Sequence, residues 1–475
     1  MLSQFAPLLW FLASQGANIL AAETCSNNLE PDYSAPVAAN GWSYRLVTKD
    51  LLSPRSILVD SEGALLVLDA GSGIKRLTLK DDGGTCISRQ DGSDVVQSSE
   101  LNHGLALSTD GRTLYASSSD KVYAWPYSAE EGRVTGSNST VVTGMINGGH
   151  TSRTLLVSQK FPGMLVVSRG SEGNLDALCG DETSGHCQIR AFNMSESNPG
   201  SPFNFTTDGV RLGWGLRNSV GVAENPVVGG IWSVENSVDN LERAGEDIHR
   251  DNPGEELNYH GSFNDTDGGG NYGYPECLAL WETDGFPERG DLATGNQFNA
   301  SGNTDAPEDS RCKNERVAPR LTFQAHTAPL DILFTPDGSE ALVTFHGSWN
   351  RDSPVGYKLS SISFRDGQSA DSSDSKTAAQ DVLSNASPGD CPERCFRPVG
   401  LAWDREQRLY MTSDSTGEIY VLMRSDASAT GPGASPTQSG QPDIGAPLSS
   451  SGLAMVLGMA AAAVILGRSL GGLRP

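Results

Sequence analysis

The chain has 475 residues, a formal net charge of −24, 54 glycines and eight cysteines. That charge excludes nucleic acid as a partner, because phosphate binding needs a basic footprint. The length is large for one ordinary core but suits a repeat architecture that closes on itself.

In chain order, residues 1–22 carry an apolar stretch from Phe5 to Ala13 and end in Ala21-Ala22. A stretch this short does not span a bilayer and reads as a secretory signal peptide. It lacks the usual basic start, since the first Lys or Arg is Arg45. Residues 23–425 then show self-similarity. Residues 54–77 (PRSILVDSEGALLVLDAGSGIKRL), 102–125 (NHGLALSTDGRTLYASSSDKVYAW), 329–349 (PLDILFTPDGSEALVTFHGSW) and 397–422 (RPVGLAWDREQRLYMTSDSTGEIYVL) repeat one pattern. Each is an apolar strand, an acidic turn, a second strand, a polar turn and a third strand. Weaker copies begin at His150 and Gly215, which makes six units. Six copies predict an all-β fold, a six-bladed β-propeller that hides its sheet edges by radial repetition. A sandwich is the runner-up, but it needs no sixfold pattern. Between units four and five lies an insertion, about Ser237 to Gln324, rich in Asp, Glu, Asn and Gly. Long insertions on a scaffold commonly form binding loops.

Residues 426–451 are a Ser/Pro/Gly-rich linker that cannot bury a core. In residues 452–475 a short apolar run, Leu453 to Leu466, follows small residues at Ser439-Gly440 and a polar spacer. This is the pattern of a C-terminal lipid-anchor (GPI) signal; the alternative is a short transmembrane segment, for which the run falls short of the roughly 20 residues needed. Both readings place residues 23–425 outside the cell. The even cysteine count fits an oxidising compartment. Cys179/Cys187 and Cys391/Cys395 are expected to staple loops and Cys277/Cys312 to close the insertion, which leaves Cys25 with Cys86. Glycosylation triplets at Asn138, Asn193, Asn204, Asn264, Asn299 and Asn385 fit the same location.

The residues that open each unit converge around the channel of a propeller. They are Arg55, Asn102-His103, His150, Arg217-Asn218 and Arg397, with a further segment near Trp349 and Arg351. Any one alone reads as a solvated charge or a structural hydrogen-bonder. Together they describe a site for a planar polyanion, because the guanidinium fork matches carboxylates.

At these residues a resemblance to a known family emerges. Residues 215–221 (GLRNSVG) resemble the R-N-x-x-G element of soluble quinoprotein sugar dehydrogenases. His150, in GGHTSRTL, is similar in place to their catalytic histidine. The runs WSVENSVDN, NPGEELN and GGNYGYP resemble their calcium loop, a following acidic element and an aromatic-Pro motif. FHGSWNR resembles the sorbosone dehydrogenase branch, and the order of elements is kept along the chain. The match is to the fungal branch of dehydrogenases for pyranose sugars that depend on pyrroloquinoline quinone (PQQ).

The resemblance implies PQQ held by Arg217, Asn218 and Arg397, with Arg55, Arg351, Asn102 and His103 as further contacts. It implies Ca2+ on the carbonyls of Ser237 and Val238; Asp247, Asp251, Glu255 and Glu256 are candidates for a second, structural calcium site, or simply a solvated acidic loop. It implies His150 as general base, with His103 as second candidate, and a lactone as the product of an aldose. Trp349 and Trp214 are candidate sugar platforms or core residues. Val220 stands where the glucose-oxidising pattern has glutamine, so glucose preference does not carry over; the fungal branch points to uncommon aldoses such as L-fucose and to 2-keto sugars. Electrons would pass to an external acceptor such as a cytochrome or a copper monooxygenase. The rivals are a calcium-dependent lactonase-like propeller, which needs carboxylate ligands at the channel, and a non-enzymatic glycan-binding propeller, which needs no converging arginines.

Overall fold

A computed structural model describes residues 25–425 apart from 147, 199, 265–268 and 301–307. The expected signal peptide at 1–22, the linker at 426–451 and the tail at 452–475 lie outside the described residues.

The repeats fold as six antiparallel four-stranded blades arranged in a ring. Blade one is Pro54–Val59, Leu65–Asp69, Gly73–Asp81 and Ile87–Gln97. Blade two is Leu105–Leu107, Thr113–Ser117, Val122–Ser128 and Ser139–Thr143. Blade three is Leu155–Val157, Met164–Arg169, Gln188–Asn193 and Val210–Trp214. Blade four is Ser219–Glu224, Ile231–Glu235, Glu255–Tyr259 and Leu321–Phe323. Blade five is Pro329–Phe334, Glu340–Phe345, Lys358–Arg365 and Gln380–Ser384.

Blade six closes the ring. Its first three strands, Pro398–Trp403, Leu409–Ser413 and Glu418–Arg424, come from the last repeat. Its outer strand, Trp42–Thr48, comes from the N-terminal side and pairs with Glu418–Arg424. The insertion is smaller than its sequence suggests, because Glu255–Tyr259 and Leu321–Phe323 are the outer strands of blade four. Their acidic and short sequences hid them among loop residues. The only α-helix among the described residues, Asp309–Glu315, sits in this insertion.

The acidic turns explain why the pattern repeats. In blade one, the Asp60 carboxylate accepts from the amides of Glu62 and Ala64, and Gly63 takes φ 78°. Gly111 and Gly338 do the same in blades two and five, at φ 69° and 68°. Only glycine takes this left-handed backbone cheaply. Blade six has Gln407 there, at φ 59°, beside an Asp404 that still caps the turn through Glu406 and Arg408. Gln407→Gly is therefore expected to stabilise the fold by about 0.5–1 kcal/mol, read by chemical denaturation; a loss of stability would contradict the strain.

The core lies between blades. Trp232 of blade four is wholly buried and meets Phe364 and Phe334 of blade five at ring distances of 4.9 and 6.5 Å. All four expected disulfides are present, Cys25–Cys86, Cys179–Cys187, Cys277–Cys312 and Cys391–Cys395. No helix among the described residues is long and apolar enough to cross a membrane. Two glycosylation triplets are incompatible with the fold as sugar carriers. The Asn385 amide is buried and donates to the carbonyls of Tyr357 and Phe396, and Asn299 is buried on the insertion. Asn138, Asn204 and Asn264 are exposed.

Candidate active site

Two kinds of loop meet at one end of the ring: those leading into first strands, and those leaving second strands. His103, His150, Arg217 and Arg397 belong to the first kind, and Arg55 is the second residue of the first strand of blade one. His346, Asp414, Ser171 and Asn236 belong to the second, and the strand-opening pattern alone did not single them out.

Blades one, five and six build one arc. Arg55 Nη1 donates to Asp414 Oδ2 at 2.6 Å, and Asp414 Oδ1 lies 2.8 Å from His346 Nε2. Burial favours protonating Asp414, but His346 and Arg55 outweigh it and hold the carboxyl well below the usual range. Arg397 donates to the carbonyls of His346 and Gly347 at 3.2 and 3.3 Å and lies over the Tyr357 ring. Among the described residues it meets no carboxylate, so its charge is available to an anion. Arg55 Nε donates to His103 Nδ1 at 3.3 Å, and the Val220 backbone also acts on the ring. Burial, then Arg55, push His103 down to about 3. Its Nδ1, accepting from Arg55, orients that guanidinium.

Blades three and four build the other arc. His150 Nδ1 lies 2.7 Å from Ser171 Oγ, while that hydroxyl donates to the Gly173 carbonyl at 2.7 Å. The hydroxyl proton is thus committed, and His150 Nδ1 is assigned as the donor. Nε2 then carries the lone pair. Burial first, and Arg217 second, push His150 down to about 4, so the ring is neutral near pH 7. Arg217 is 5% exposed and held from three sides: by the carbonyl and side chain of Asn174, by the Asn236 carbonyl, and by Asp239 at 3.1 Å. Gly170 packs between these groups. A Cβ there would come within 2.9 Å of both Asn218 Oδ1 and His150 Cβ.

The remaining candidates divide. Asn102 Nδ2 donates to the Thr151 carbonyl, while its Oδ1, like Asn350 Nδ2, is buried without a partner. Buried atoms left without a partner suit contact with a polar ligand. Arg351 is turned elsewhere: it donates to the Arg250 carbonyl, to Asp251 and to the Ser353 carbonyl, and so pins the insertion to blade five. Trp349 is 69% exposed at the mouth. Trp214 lies half-buried on the outer strand of blade three, under Arg211.

The carbonyls of Ser237 and Val238 accept no hydrogen bond among the described residues. Beside them the Ser237 amide donates to Glu255 Oε2 at 2.7 Å. Burial raises the carboxyls of Glu255, Glu235 and Glu256, Glu235 to about 8 and Glu256 to about 7. A hard cation suits this local excess of oxygen donors. The four candidates for a second calcium site do not gather around one ion. Asp247 is taken by His249, Asp251 by Arg250 and Arg351, Glu255 by backbone amides and Glu256 by Asn258.

A cavity of about 280 Å³ runs along the axis, lined by first strands of all six blades. It touches the site only at His103 and is otherwise largely apolar.

A family model described as TrAA12-like matches residues 36–425. The chain is 50% identical over 417 residues to a pyrroloquinoline quinone-dependent sugar dehydrogenase of Hypocrea jecorina, covering 87% of this chain and 95% of that one. It is 37% identical to a pyrroloquinoline quinone-dependent pyranose dehydrogenase of Coprinopsis cinerea, covering 84% of this chain and 56% of that longer protein. The calcium structure of a Trichoderma reesei carbohydrate-active enzyme of family AA12 superposes with TM-score 0.82 at 52% identity, covering 84% of this chain and 100% of that one. The holo PQQ domain of the Coprinopsis enzyme superposes with TM-score 0.79 at 34% identity, covering 84% and 99%. The chain belongs to the TrAA12-like family of PQQ-dependent sugar dehydrogenases.

Proposed function

We propose that this enzyme oxidises pyranose sugars at the anomeric hydroxyl, with PQQ and Ca2+ bound at the loop end of the propeller and His150 as general base. The observation that carries this reading is the pairing of a neutral, tautomer-fixed His150 with unneutralised guanidinium charge at Arg397. When bound, PQQ supplies a two-electron acceptor for hydride, and Ca2+ on the carbonyls of Ser237 and Val238 supplies a Lewis acid. Arg55, Arg217 and Arg397 would hold its carboxylates, and Asn102, Asn218 and Asn350 offer further polar contacts. His150 Nε2 accepts the proton of the sugar hydroxyl as hydride leaves the same carbon, and an aldose becomes its lactone. Ser171 keeps the imidazole in that tautomer. Trp349 offers an exposed ring face on which a pyranose can pack.

The base works only when neutral, and it protonates below about pH 4. This group therefore leaves the rate flat between about pH 5 and 7, with a fall of about tenfold per pH unit below about 4. The test of function is the purified apo-protein given Ca2+, PQQ, an artificial acceptor and a sugar panel that includes L-fucose and 2-keto sugars. Sugar-dependent acceptor reduction supports the reading; none with any sugar rejects it. The electrons leave to a separate acceptor, a cytochrome or a copper monooxygenase, and the same assay with those proteins in place of the dye tests it.

The four disulfides fit an oxidising compartment. The pattern of residues 426–475 supports secretion to the cell surface on a lipid anchor. Release of the enzyme from cells by phosphatidylinositol-specific phospholipase C is the expected result; retention in the membrane fraction would contradict it.

A further inference from the structure

Blade five opens on Gln324-Ala325-His326-Thr327-Ala328, and His326 and Ala328 hold left-handed backbone at φ 63° and 52°. Such conformations are costly outside glycine and persist where their surroundings over-determine them. Here the turn sets a histidine, 7% exposed, between the insertion and the cofactor cradle.

His326 Nε2 lies 2.5 Å from the His249 carbonyl oxygen, so that nitrogen is a donor. His326 Nδ1 lies 3.6 Å from Asp239 Oδ1, an ion-pair distance. Burial opposes a charge on the ring, but Asp239, Glu255 and the His249 carbonyl together outweigh it and raise its pKa. The His249 ring is itself tied to Asp247 at 2.5 Å. Asp239 Oδ2, in turn, is 3.1 Å from Arg217 Nη2. Asp239 thus stands between the Arg217 guanidinium and the His326 ring. A carboxylate beside Arg217 with no second partner would offset the charge an anionic ligand needs.

We infer that His326 is a positioning residue: it holds Asp239 and the insertion together, so that Arg217 keeps both its orientation and its positive charge toward the cofactor. This rests on PQQ being the anion at Arg217.

The test is a double-mutant cycle on the full chain, with PQQ titrated in calcium buffer and binding followed by absorbance and intrinsic fluorescence. His326→Asn is the primary variant, because asparagine tolerates left-handed backbone while removing the imidazole; His326→Gln is run in parallel in case one of them folds poorly. Each should weaken PQQ binding by about 5- to 20-fold, and by less than about twofold in an Asp239→Asn background, where no carboxylate remains to be balanced. Equal affinity in wild type and both variants overturns the inference. Equal losses with and without Asp239 overturn it as well, since His326 would then support only the fold. If the wild-type protein itself fails to bind PQQ, the cofactor reading falls first and the inference falls with it.

Discussion

His150→Asn is expected to lower turnover by about 10²–10⁴-fold while leaving PQQ affinity within about twofold. The separation follows from what His150 touches. Its backbone amide donates to the Ser171 carbonyl and its carbonyl accepts from Arg153, so the loop keeps its anchors when the ring is replaced. What is lost is Nε2, the lone pair left free once Nδ1 is committed to Ser171. Ser171→Ala should produce a smaller loss, about tenfold, because the tautomer is no longer fixed but the ring remains. Rapid-mixing measurements with PQQ-loaded protein read both effects. Turnover surviving in His150→Asn would move the base elsewhere. His103, whose Nδ1 accepts from Arg55, is then the next candidate.

The second large effect is expected at Arg397. Its guanidinium touches two carbonyls and the face of Tyr357 and is neutralised by no carboxylate among the described residues. Removing one charge-assisted contact to a carboxylate costs about 1.5–3 kcal/mol, which is roughly 10- to 100-fold in affinity. Arg397→Gln should therefore raise the PQQ dissociation constant by that factor. Arg351→Gln makes the contrast. Arg351 is committed to the Arg250 carbonyl, Asp251 and the Ser353 carbonyl, so its loss should change PQQ affinity by less than about twofold and loosen the insertion instead. Equal effects at the two positions would contradict this division of the arginines.

The fold was legible because its physics is periodic. The Asp-Gly turns need left-handed glycines, the strands between them alternate, and six copies leave a closed ring as the simplest way to hide their edges. The closing strand Trp42–Thr48 was not legible, because it belongs to no repeat and is recruited from far along the chain. Blade four was blurred for another reason. Its third strand is Glu-Glu-Leu-Asn-Tyr, whose acids are buried by local partners, so its composition imitates a loop.

At the site, reading the residues that open each first strand placed Arg55, His103, His150, Arg217 and Arg397 at one end of the ring. The same rule applied one step earlier in blade five would have found His326, in place of the segment around Trp349 and Arg351. Ser171, His346 and Asp414 lie after second strands, and nothing in their spacing marks them. Their role is visible only as contacts: a hydroxyl that fixes a tautomer, and a carboxylate shared between an arginine and a histidine.

The most direct test of the central reading is a single turnover without any acceptor. The purified protein is loaded with Ca2+ and PQQ under anaerobic conditions and mixed with excess aldose, while the cofactor spectrum and the sugar product are followed together. Sugar oxidation at this site predicts one equivalent of quinol and one of lactone per site, formed at the same rate and suppressed in His150→Asn. An oxidised spectrum that persists, across sugars and with PQQ demonstrably bound, would contradict it.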